Sequence, residues 1–477
     1  MTTSPLYLVI DQGGHASRAF IYNKQGEVLS QGTTPITAQT NGCESSHIEY
    51  DAVTLLQSIR TAIHEAITSP NINVTDIVAA GIATQRSNIV CWDQLTGQPL
   101  SPIISWQDRR AASWIEKFKP HQKQVHQSTG LFLSPHYGVG KLQWCYQNLP
   151  AVAEAHQNQN LYWGPMTSFL LHQLLDEKPY LIDHVNASRT LLWNLRTCDW
   201  DPLLRQLFEL PHAPLPTCVA NRHSFGTLTI GRHKTPMTIA IGDQSASLFS
   251  WQALQDDALY INIGTGAFIQ RVIKGECTVK PNLLTSLLLQ QNNTSHYALE
   301  GTINGAGSAL SWIEQQLNPE DLYQQLPRWL AEEASPLLFL NGIAGVGSPY
   351  WQANFQSAFI GEGNDKQKIV AVIESIAFLL QVNIELLQQP TTNKILISGG
   401  LSQLDGLCQR IADLSGLIVQ RMPACEATAN GVAWLLANTD NATTWHNNKL
   451  IQSTPQNNPA LSKRYQRWKI AMQQALT

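Results

Sequence analysis

The same order of predicted elements occurs near the start of the chain and again just after its middle. Residues 6–10 and residues 259–263 are continuous apolar runs with β-branched members, which indicates strands buried on both faces of a sheet. A glycine turn follows each run, Gly13-Gly14 in the first case and Gly264-Thr265-Gly266 in the second, and a returning strand follows each turn. The sequence therefore predicts an internally duplicated α/β fold.

The chain of 477 residues is longer than one hydrophobic core usually requires, so two domains are expected. We predict an N-terminal domain over residues 1–241 and a C-terminal domain over residues 242–477. Residues 129–200 are rich in loops and aromatic side chains, which indicates an insertion in the first domain. Residues 51–67 and 366–387 have apolar side chains at helical spacing, and Asp51 is suitably placed to cap the first of these helices.

Composition argues against several classes of protein. A net charge of −4 argues against nucleic-acid binding, because a surface for nucleic acid needs concentrated basic residues. The first apolar run is too short for a signal sequence, and we expect that no uninterrupted apolar segment reaches the length needed to cross a bilayer. The cysteines are scattered without metal-ligand spacing, so we expect reduced thiols in a cytoplasmic protein, with no structural disulfide or zinc site. They are Cys43, Cys91, Cys145, Cys198, Cys218, Cys277, Cys408 and Cys425.

A carboxylate follows a predicted strand at the centre of the chain. Residues 237–241 are apolar, Gly242 ends the run, and Asp243 stands where a helix can begin. An acid at the end of a strand is held by rigid backbone and can open to a binding site, as a general base requires. The alternative is that Asp243 only caps a helix.

The first glycine turn is suited to phosphate. Small residues let backbone N–H groups approach anionic oxygens, and Asp11 and Arg18 flank the turn. Asp11 is expected to hold Mg²⁺ through water, and Arg18 to neutralise a phosphoryl group. An ordinary tight turn with a capping aspartate fits the same residues.

Polar side chains also follow the strand predicted over residues 77–82. Gln85, Arg86 and Ser87 stand at its carboxyl end, which is where ligands bind in α/β sheets. Further along, Trp106 precedes Gln-Asp-Arg-Arg and combines an apolar platform with hydrogen-bonding groups, which suits a hydroxylated ligand. A core tryptophan beside a surface ion pair is the alternative.

Taken in order, these motifs resemble the FGGY carbohydrate kinase family over nearly the whole chain, and its glycerol kinase branch most closely. The segments that carry the resemblance are Thr84-Gln85-Arg86, Trp106-Gln107-Asp108-Arg109-Arg110, Lys141-Leu142-Gln143-Trp144, Asn186-Ala187-Ser188-Arg189-Thr190, Gly242-Asp243-Gln244, Gly264-Thr265-Gly266, Leu299-Glu300-Gly301, Ala358-Phe359-Ile360-Gly361 and Ser398-Gly399-Gly400.

The resemblance implies an α/β protein with two ribonuclease H-like, actin-type ATPase domains flanking a central cleft. It implies ATP and Mg²⁺ as cofactors, Asp243 as the catalytic base toward a substrate hydroxyl, and Asp11 with Asp243 as metal ligands through water. Dimers or tetramers are common in the family. Implied nucleotide contacts are Gly13, Gly14, His15, Arg18, Gly264, Thr265, Gly307, Gly400 and Leu404. Implied substrate contacts are Arg86, Ser87, Trp106, His136, Asp243, Gln244 and Phe268.

The chain departs from the glycerol kinase pattern both in the residues implied for the nucleotide and in those implied for the substrate. Gly14 and His15 replace two threonines of the phosphate loop, and Leu404 replaces an asparagine near the base. In the polyol pocket, Ser87 replaces a glutamate and His136 replaces a tyrosine. We therefore expect ATP-dependent phosphorylation of a small polyol or ketose other than glycerol. The alternative is a catalytically impaired relative that binds nucleotide or sugar as a sensor or regulatory partner.

Overall fold

The fold is known from a computed structural model, which describes residues 4–40, 47–210, 212, 214–332, 337–423, 426–438, 445 and 450–477. Cys43 and Cys425 lie outside these ranges, and the remaining cysteines are free thiols. The chain divides into two compact units. The first comprises residues 1–254, 286–297 and 426–446, and the second comprises residues 255–285, 298–425 and 447–477. The domain ranges expected from the sequence stay a prediction.

Up to residue 254 the strands are β1 (Leu6–Gln12), β2 (Ala16–Asn23), β3 (Val28–Pro35), β4 (Gln39–Thr40), β5 (Ile48–Tyr50), β6 (Ile77–Thr84), β7 (Ile89–Asp93), β8 (Ile103–Ile104), β9 (Leu161–Pro165), β10 (Leu181–Asp183), β11 (Trp193–Asn194), β12 (Asp199–Trp200), β13 (Thr217–Val219), β14 (Arg222–Ile230) and β15 (His233–Gly242). The helices are α1 (Ala52–Ile67), α2 (Ala112–Glu116), α3 (Gln122–Thr129), α4 (Gly138–Asn148), α5 (Pro150–Gln157), α6 (Met166–Leu174), α7 (His184–Ala187), α8 (Pro202–Leu207) and α9 (Asp243–Leu248).

After residue 254 the strands are β16 (Ala258–Ile263), β17 (Ala267–Ile273), β18 (Leu284–Gln291), β19 (Thr294–Ile303), β20 (Leu338–Leu340), β21 (Ala358–Ile360), β22 (Lys394–Ser398), β23 (Ile418–Arg421) and β24 (Ile451–Ser453). The helices are α10 (Gly307–Leu317), α11 (Leu322–Glu332), α12 (Asp365–Leu387), α13 (Asp405–Ser415), α14 (Ala427–Ala437) and α15 (Pro459–Leu476).

The main sheet of the first unit has the order β14-β15-β6-β1-β2-β3. Strands β15, β6 and β1 run parallel to one another, β2 pairs antiparallel with β1, and β3 pairs antiparallel with β2. Every residue of β1 is buried, as its unbroken apolar run predicts. Helix α1 packs against β2 and β3, and the side chain of Asp51 caps it by accepting from the Thr54 N–H at 2.7 Å.

Helix α14 also belongs to the first unit, although it lies far along the chain. It packs on β1, β6 and α9. Gly431 makes the contact with α9 possible, because a Cβ at this position would lie 1.8 Å from the Ala246 carbonyl oxygen. The first unit is therefore completed by a segment close to the C-terminus.

The main sheet of the second unit repeats the arrangement of the first. Its strand order is β18-β19-β17-β16-β22-β23-β24. As β1 lies between antiparallel β2 and parallel β6, so β16 lies between antiparallel β17 and parallel β22. The α/β class and the internal duplication predicted from the sequence are confirmed.

Helix α12 is the central helix of the second unit. By length and composition it is apolar enough to cross a membrane, so the expectation that no segment reaches that length was wrong. Its most apolar window is 89% buried, and its residues from Ile369 to Ile384 form part of the core of the unit. A helix that is apolar all round is also what the centre of a large core requires.

Candidate active site

Three parallel strands of the first unit end at the same edge of the sheet. Gln12 of β1 pairs with Thr84 of β6, and Thr84 pairs with Gly242 of β15. The side chains at and just beyond these strand ends are therefore neighbours: Asp11 from the first, Arg86 from the second and Asp243 from the third. This is the edge at which ligands bind in parallel α/β sheets.

Asp243 is the first residue of α9 and is partly buried. Its Oδ1 accepts a hydrogen bond from the Gln244 N–H at 2.7 Å. Gly242 lets Arg86 pass beside it, since a Cβ there would lie 2.6 Å from the Arg86 Cγ and Cδ atoms. Burial raises the pKa of Asp243, whereas the charges of Arg86 and Arg189 lower it. Burial thus makes this carboxylate more basic than one in water, while the two guanidinium groups favour its ionised form.

In the sequence Arg189 stood out only within one of the segments that carry the family resemblance, whereas in the structure its charge lowers the pKa of Asp243. Arg189 is 3% exposed and donates to the Ser286 hydroxyl at 2.8 Å. The turn that carries it is anchored by Asp183, which caps α7 and accepts from Asn186 Nδ2 at 2.7 Å and from Asn221 Nδ2 at 3.0 Å. Its signal in the sequence was an arginine amid small residues.

Asp11 is 1% exposed and forms an ion pair with Arg18, with 2.8 Å between Oδ2 and Nη2. Arg18 also contacts Glu426, which directly precedes α14. Burial raises the pKa of Asp11 to about 6, and the negative charges of Asp243 and Glu426 add to the rise, while Arg18 opposes it. Arg18, expected on a phosphate, is thus shared between two carboxylates.

Hard oxygen ligands are the donors that Mg²⁺ prefers, and a cation would relieve the repulsion between Asp11 and Asp243. Within the described ranges no cluster of three or more potential ligands occurs. Asp11 and Asp243 are of a donor type that would suit a Mg²⁺ ion, which they would hold through water.

The glycine turn after β1 is fixed from the side by two neighbours. Gln85 Nε2 donates to the Gly13 carbonyl at 2.9 Å, and the Tyr50 hydroxyl donates to the Gly14 carbonyl at 3.0 Å. The N–H groups of Gly14 and His15 donate to no acceptor in the described part of the chain. His15 is exposed. The turn thus offers backbone donors to an anion, in a conformation set by its carbonyl contacts.

The predicted substrate residues of the first unit include side chains with unused polar atoms. Ser87 is 3% exposed, and its hydroxyl has no hydrogen-bond partner among the described residues; the same holds for Oε1 of Gln244. The rings of Trp106 and His136 pack with their centroids 5.4 Å apart. Burial, followed by the charges of nearby cations including Lys141, holds the pKa of His136 well below its usual range, so its imidazole is neutral.

The second unit holds a cavity of about 500 Å³ where the turn after β16 meets the start of α10. Gly264, Thr265 and Gly307 line this cavity, and their role as nucleotide contacts stays a prediction. A Cβ on Gly307 would lie 2.6 Å from the Gly264 carbonyl oxygen, so the approach of turn and helix requires glycine. The sequence did not single out the other lining residues: Ser308, Leu310, Ser311, Trp312, Gln315, Tyr323 and Leu401.

The remaining predicted residues have different surroundings. Gly400 begins a short 3₁₀ helix and Leu404 follows it, but only Leu401 between them lines the cavity. Leu404 packs partly buried against the core of the second unit. Phe268 lies on β17 and is half-buried. Ser311 could have been found, because it lies one helical turn after Gly307 on the same face of α10.

Two family models account for most of the chain. Residues 6–250 match the N-terminal domain of the FGGY family of carbohydrate kinases, and residues 259–439 match the C-terminal domain of the same family. The chain belongs to the FGGY family of carbohydrate kinases. It is therefore an ATP-dependent carbohydrate kinase.

Similar proteins agree with this assignment to the FGGY family. A glycerol kinase of Rippkaea orientalis is 31% identical over 447 residues, which cover 90% of this chain and 88% of the relative. In solved structures, glycerol kinase of Plasmodium falciparum with ADP has a TM-score of 0.88 at 21% identity, with 99% of each chain covered. Gluconate kinase of Lactobacillus acidophilus has a TM-score of 0.85 at 19% identity, covering 99% of each chain. These structures confirm the actin-type α/β fold.

Proposed function

We propose that this FGGY kinase, which is of the glycerol kinase type, transfers the γ-phosphoryl group of ATP to a hydroxyl of a small polyol or ketose other than glycerol. The observation that carries the proposal is the position of Asp243. It stands where three parallel strands end, beside Arg86 and Arg189, in the unit that also presents the unused polar atoms of Ser87 and Gln244.

Asp243 acts as the general base. Its carboxylate accepts the proton of the substrate hydroxyl as the hydroxyl oxygen bonds to the γ-phosphorus and the bond to the ADP oxygen breaks. Burial makes this carboxylate more basic than a solvated aspartate, and the two arginines favour its charged form. Mg²⁺, when bound by Asp11 and Asp243 through water, would neutralise negative charge on the phosphates.

Each unit offers its own backbone site. In the second unit, the cavity beside Gly264 and Gly307 would hold a nucleotide, and in the first unit the N–H groups of Gly14 and His15 would donate to phosphate oxygens. The replacement of threonines by Gly14 and His15 removes two hydroxyl donors but leaves these backbone donors in place. Nothing in the site favours a purely regulatory role.

The acceptor pocket is expected to discriminate against glycerol. Ser87 is smaller than glutamate and carries no charge, and neutral His136 replaces a phenol, so a different set of substrate hydroxyls finds partners. A buried hydroxyl left without a partner costs about 1–3 kcal/mol, which corresponds to roughly ten- to hundredfold in selectivity. The room left by Ser87 favours a longer polyol.

The test is ADP release over a panel of glycerol, erythritol, xylulose, ribulose and related polyols. We expect turnover with at least one compound longer than glycerol, and a decrease in kcat of roughly 10²- to 10⁴-fold for Asp243→Asn. Since an amide avoids the burial of charge, the variant should melt no lower than wild type. Full activity of Asp243→Asn would refute the role of the base. ATP binding without turnover of any compound would support a sensor instead.

The location and assembly of the enzyme also remain proposals. We propose a cytoplasmic enzyme that binds neither nucleic acid nor membrane and forms a homodimer or homotetramer. Light scattering of the purified chain would decide the last point.

A further inference from the structure

We infer that Lys141 is a positioning residue for the acceptor pocket, which it assembles by holding two loops through their backbone carbonyls. The inference rests on the proposed role of Ser87 and His136 in binding the acceptor. In this role Lys141 does not contact the substrate itself. It determines which substrate hydroxyls Ser87 and His136 can reach.

The contacts of Lys141 are direct. It lies on α4 and is 0% exposed, and its Nζ donates to the Ser87 carbonyl at 2.9 Å and to the His136 carbonyl at 2.7 Å. Ser87 follows a strand of the sheet edge, whereas His136 lies in the loop before α4. One amino group therefore connects two segments that are remote in sequence, at the two positions where the pocket departs from the glycerol kinase pattern.

The bond to Ser87 holds an unfavourable backbone conformation. Ser87 has a φ of 66°, in the left-handed region that residues with a side chain adopt only at a cost. This turn directs Arg86 toward Gly242 on one side. On the other side, Asn88 accepts from the Trp106 N–H through its Oδ1 at 2.7 Å. Fixing the Ser87 carbonyl thus also fixes the turn that orients Arg86 and anchors Trp106.

The chemistry of the site argues against a merely space-filling side chain. A buried lysine is costly, and leucine or methionine would fill the same volume without that cost. Burial lowers the pKa of Lys141 well below its usual range; Asp108 favours its charged form, whereas Arg109 and Arg110 oppose it. A neutral amine still has two N–H donors, which is the number the two carbonyls require.

The test compares Lys141→Met with Leu142→Ala. Leu142 is the next residue of α4 and is also 0% exposed, so its truncation gives a matched loss of packing without touching the two carbonyls. We expect Lys141→Met to raise KM for the acceptor by roughly ten- to hundredfold, as two carbonyls lose their donor, and to leave KM for ATP within about twofold. Leu142→Ala should lower Tm and change neither KM.

A second variant probes the donor itself. In Lys141→Ala, ethylammonium added to the assay should lower the acceptor KM again, and it should have no effect on Leu142→Ala. A Lys141→Met enzyme that loses stability but keeps the wild-type acceptor KM would overturn the inference.

A readout independent of turnover separates this inference from the proposed function. In a crystal structure of Lys141→Met, the Ser87 backbone should leave the left-handed region and the His136 loop should shift. If both loops kept their conformations, Lys141 would not position them, whatever the enzyme phosphorylates. If the loops moved but wild type phosphorylated no polyol, the positioning role would stand and the proposed function would fall.

Discussion

The side chains around the buried carboxylate of Asp11 do not fully balance its negative charge. Among the described residues it pairs with Arg18, which is shared with a second acid, Glu426, and Asp243 adds further negative charge. A carboxylate in such surroundings retains its proton more strongly than in water. The arrangement therefore favours the binding of a cation, at the expense of the stability of the free protein.

Asp11→Asn is therefore expected to change the dependence of stability on pH. Since the pKa of Asp11 is raised from 3.8 to about 6 on folding, the folded state binds the proton more tightly, and wild type loses stability as pH rises between these values. The loss is at most about 3 kcal/mol, from roughly two pKa units at 1.36 kcal/mol each. The variant should lack this decrease in urea unfolding at pH 4 to 8.

Mg²⁺ provides the control for that measurement. At pH 7.5 it should raise the Tm of wild type and leave Asp11→Asn unchanged. Equal stabilisation of both proteins would contradict the assignment of Asp11 to the metal.

A second prediction at the residue scale concerns Ser87→Glu. Restoring the carboxylate would supply an acceptor for glycerol hydroxyls and fill the space beside His136, so kcat/KM for glycerol should rise by roughly ten- to hundredfold. The same ratio for the longer substrate should decrease. Ser87→Ala is the matched control, since it removes the hydroxyl without adding an acceptor and should give no gain with glycerol. The measurement is the ratio of kcat/KM for the two substrates.

How far these residues were predictable depends on the kind of contact. Asp11, Arg86 and Asp243 were accessible from sequence because strand ends can be read from apolar runs, and parallel strands bring their ends together. Glu426 could not be found in this way, because its contact with Arg18 depends on packing of α14 rather than on any local pattern. Lys141 was visible only as part of a motif, since nothing local shows which carbonyls a lysine reaches.

At the scale of elements, the C-terminal helix α15 is held to the second unit by buried charge. Glu374 of α12 is 1% exposed and accepts from Arg464 of α15 at 2.7 Å and from Arg410 of α13 at 3.0 Å. One carboxylate thus joins three helices. Apolar spacing predicted α12, but it could not predict a polar group at the point where α12 meets α13 and α15.

Glu374→Gln should destabilise the second unit strongly. It removes the buried negative charge that pairs with Arg410 and Arg464, and breaking a buried pair in this way costs about 3–5 kcal/mol. The measurement is the free energy of unfolding in urea. Glu332→Gln serves as control: Glu332 pairs with Arg328 and Lys366 at 46% exposure, where solvent screens such pairs and they contribute little. A similar loss in both variants would mean that burial of Glu374 is not decisive.

At the scale of the whole molecule, the duplicated order of elements was readable from the two strand-turn-strand openings. The assignment of chain segments to units was not. Sequence reasoning divides a chain where composition changes, whereas the first unit takes residues 286–297 and 426–446 from beyond the middle of the chain. Such long-range membership is settled by packing surfaces, such as the face of α14 that meets β1 and β6.

The late position of α14 has a consequence for biosynthesis. When the first 254 residues have been translated, the sheet edge that carries Asp11 and Asp243 is complete. Helix α14, which covers the sheet beside them, has not yet been made. The nascent N-terminal half therefore keeps an apolar face uncovered and open to chaperones until α14 has been translated. Expression of that half alone should therefore yield insoluble protein, and a stop codon just before α14 should inactivate the enzyme as completely as one near the start.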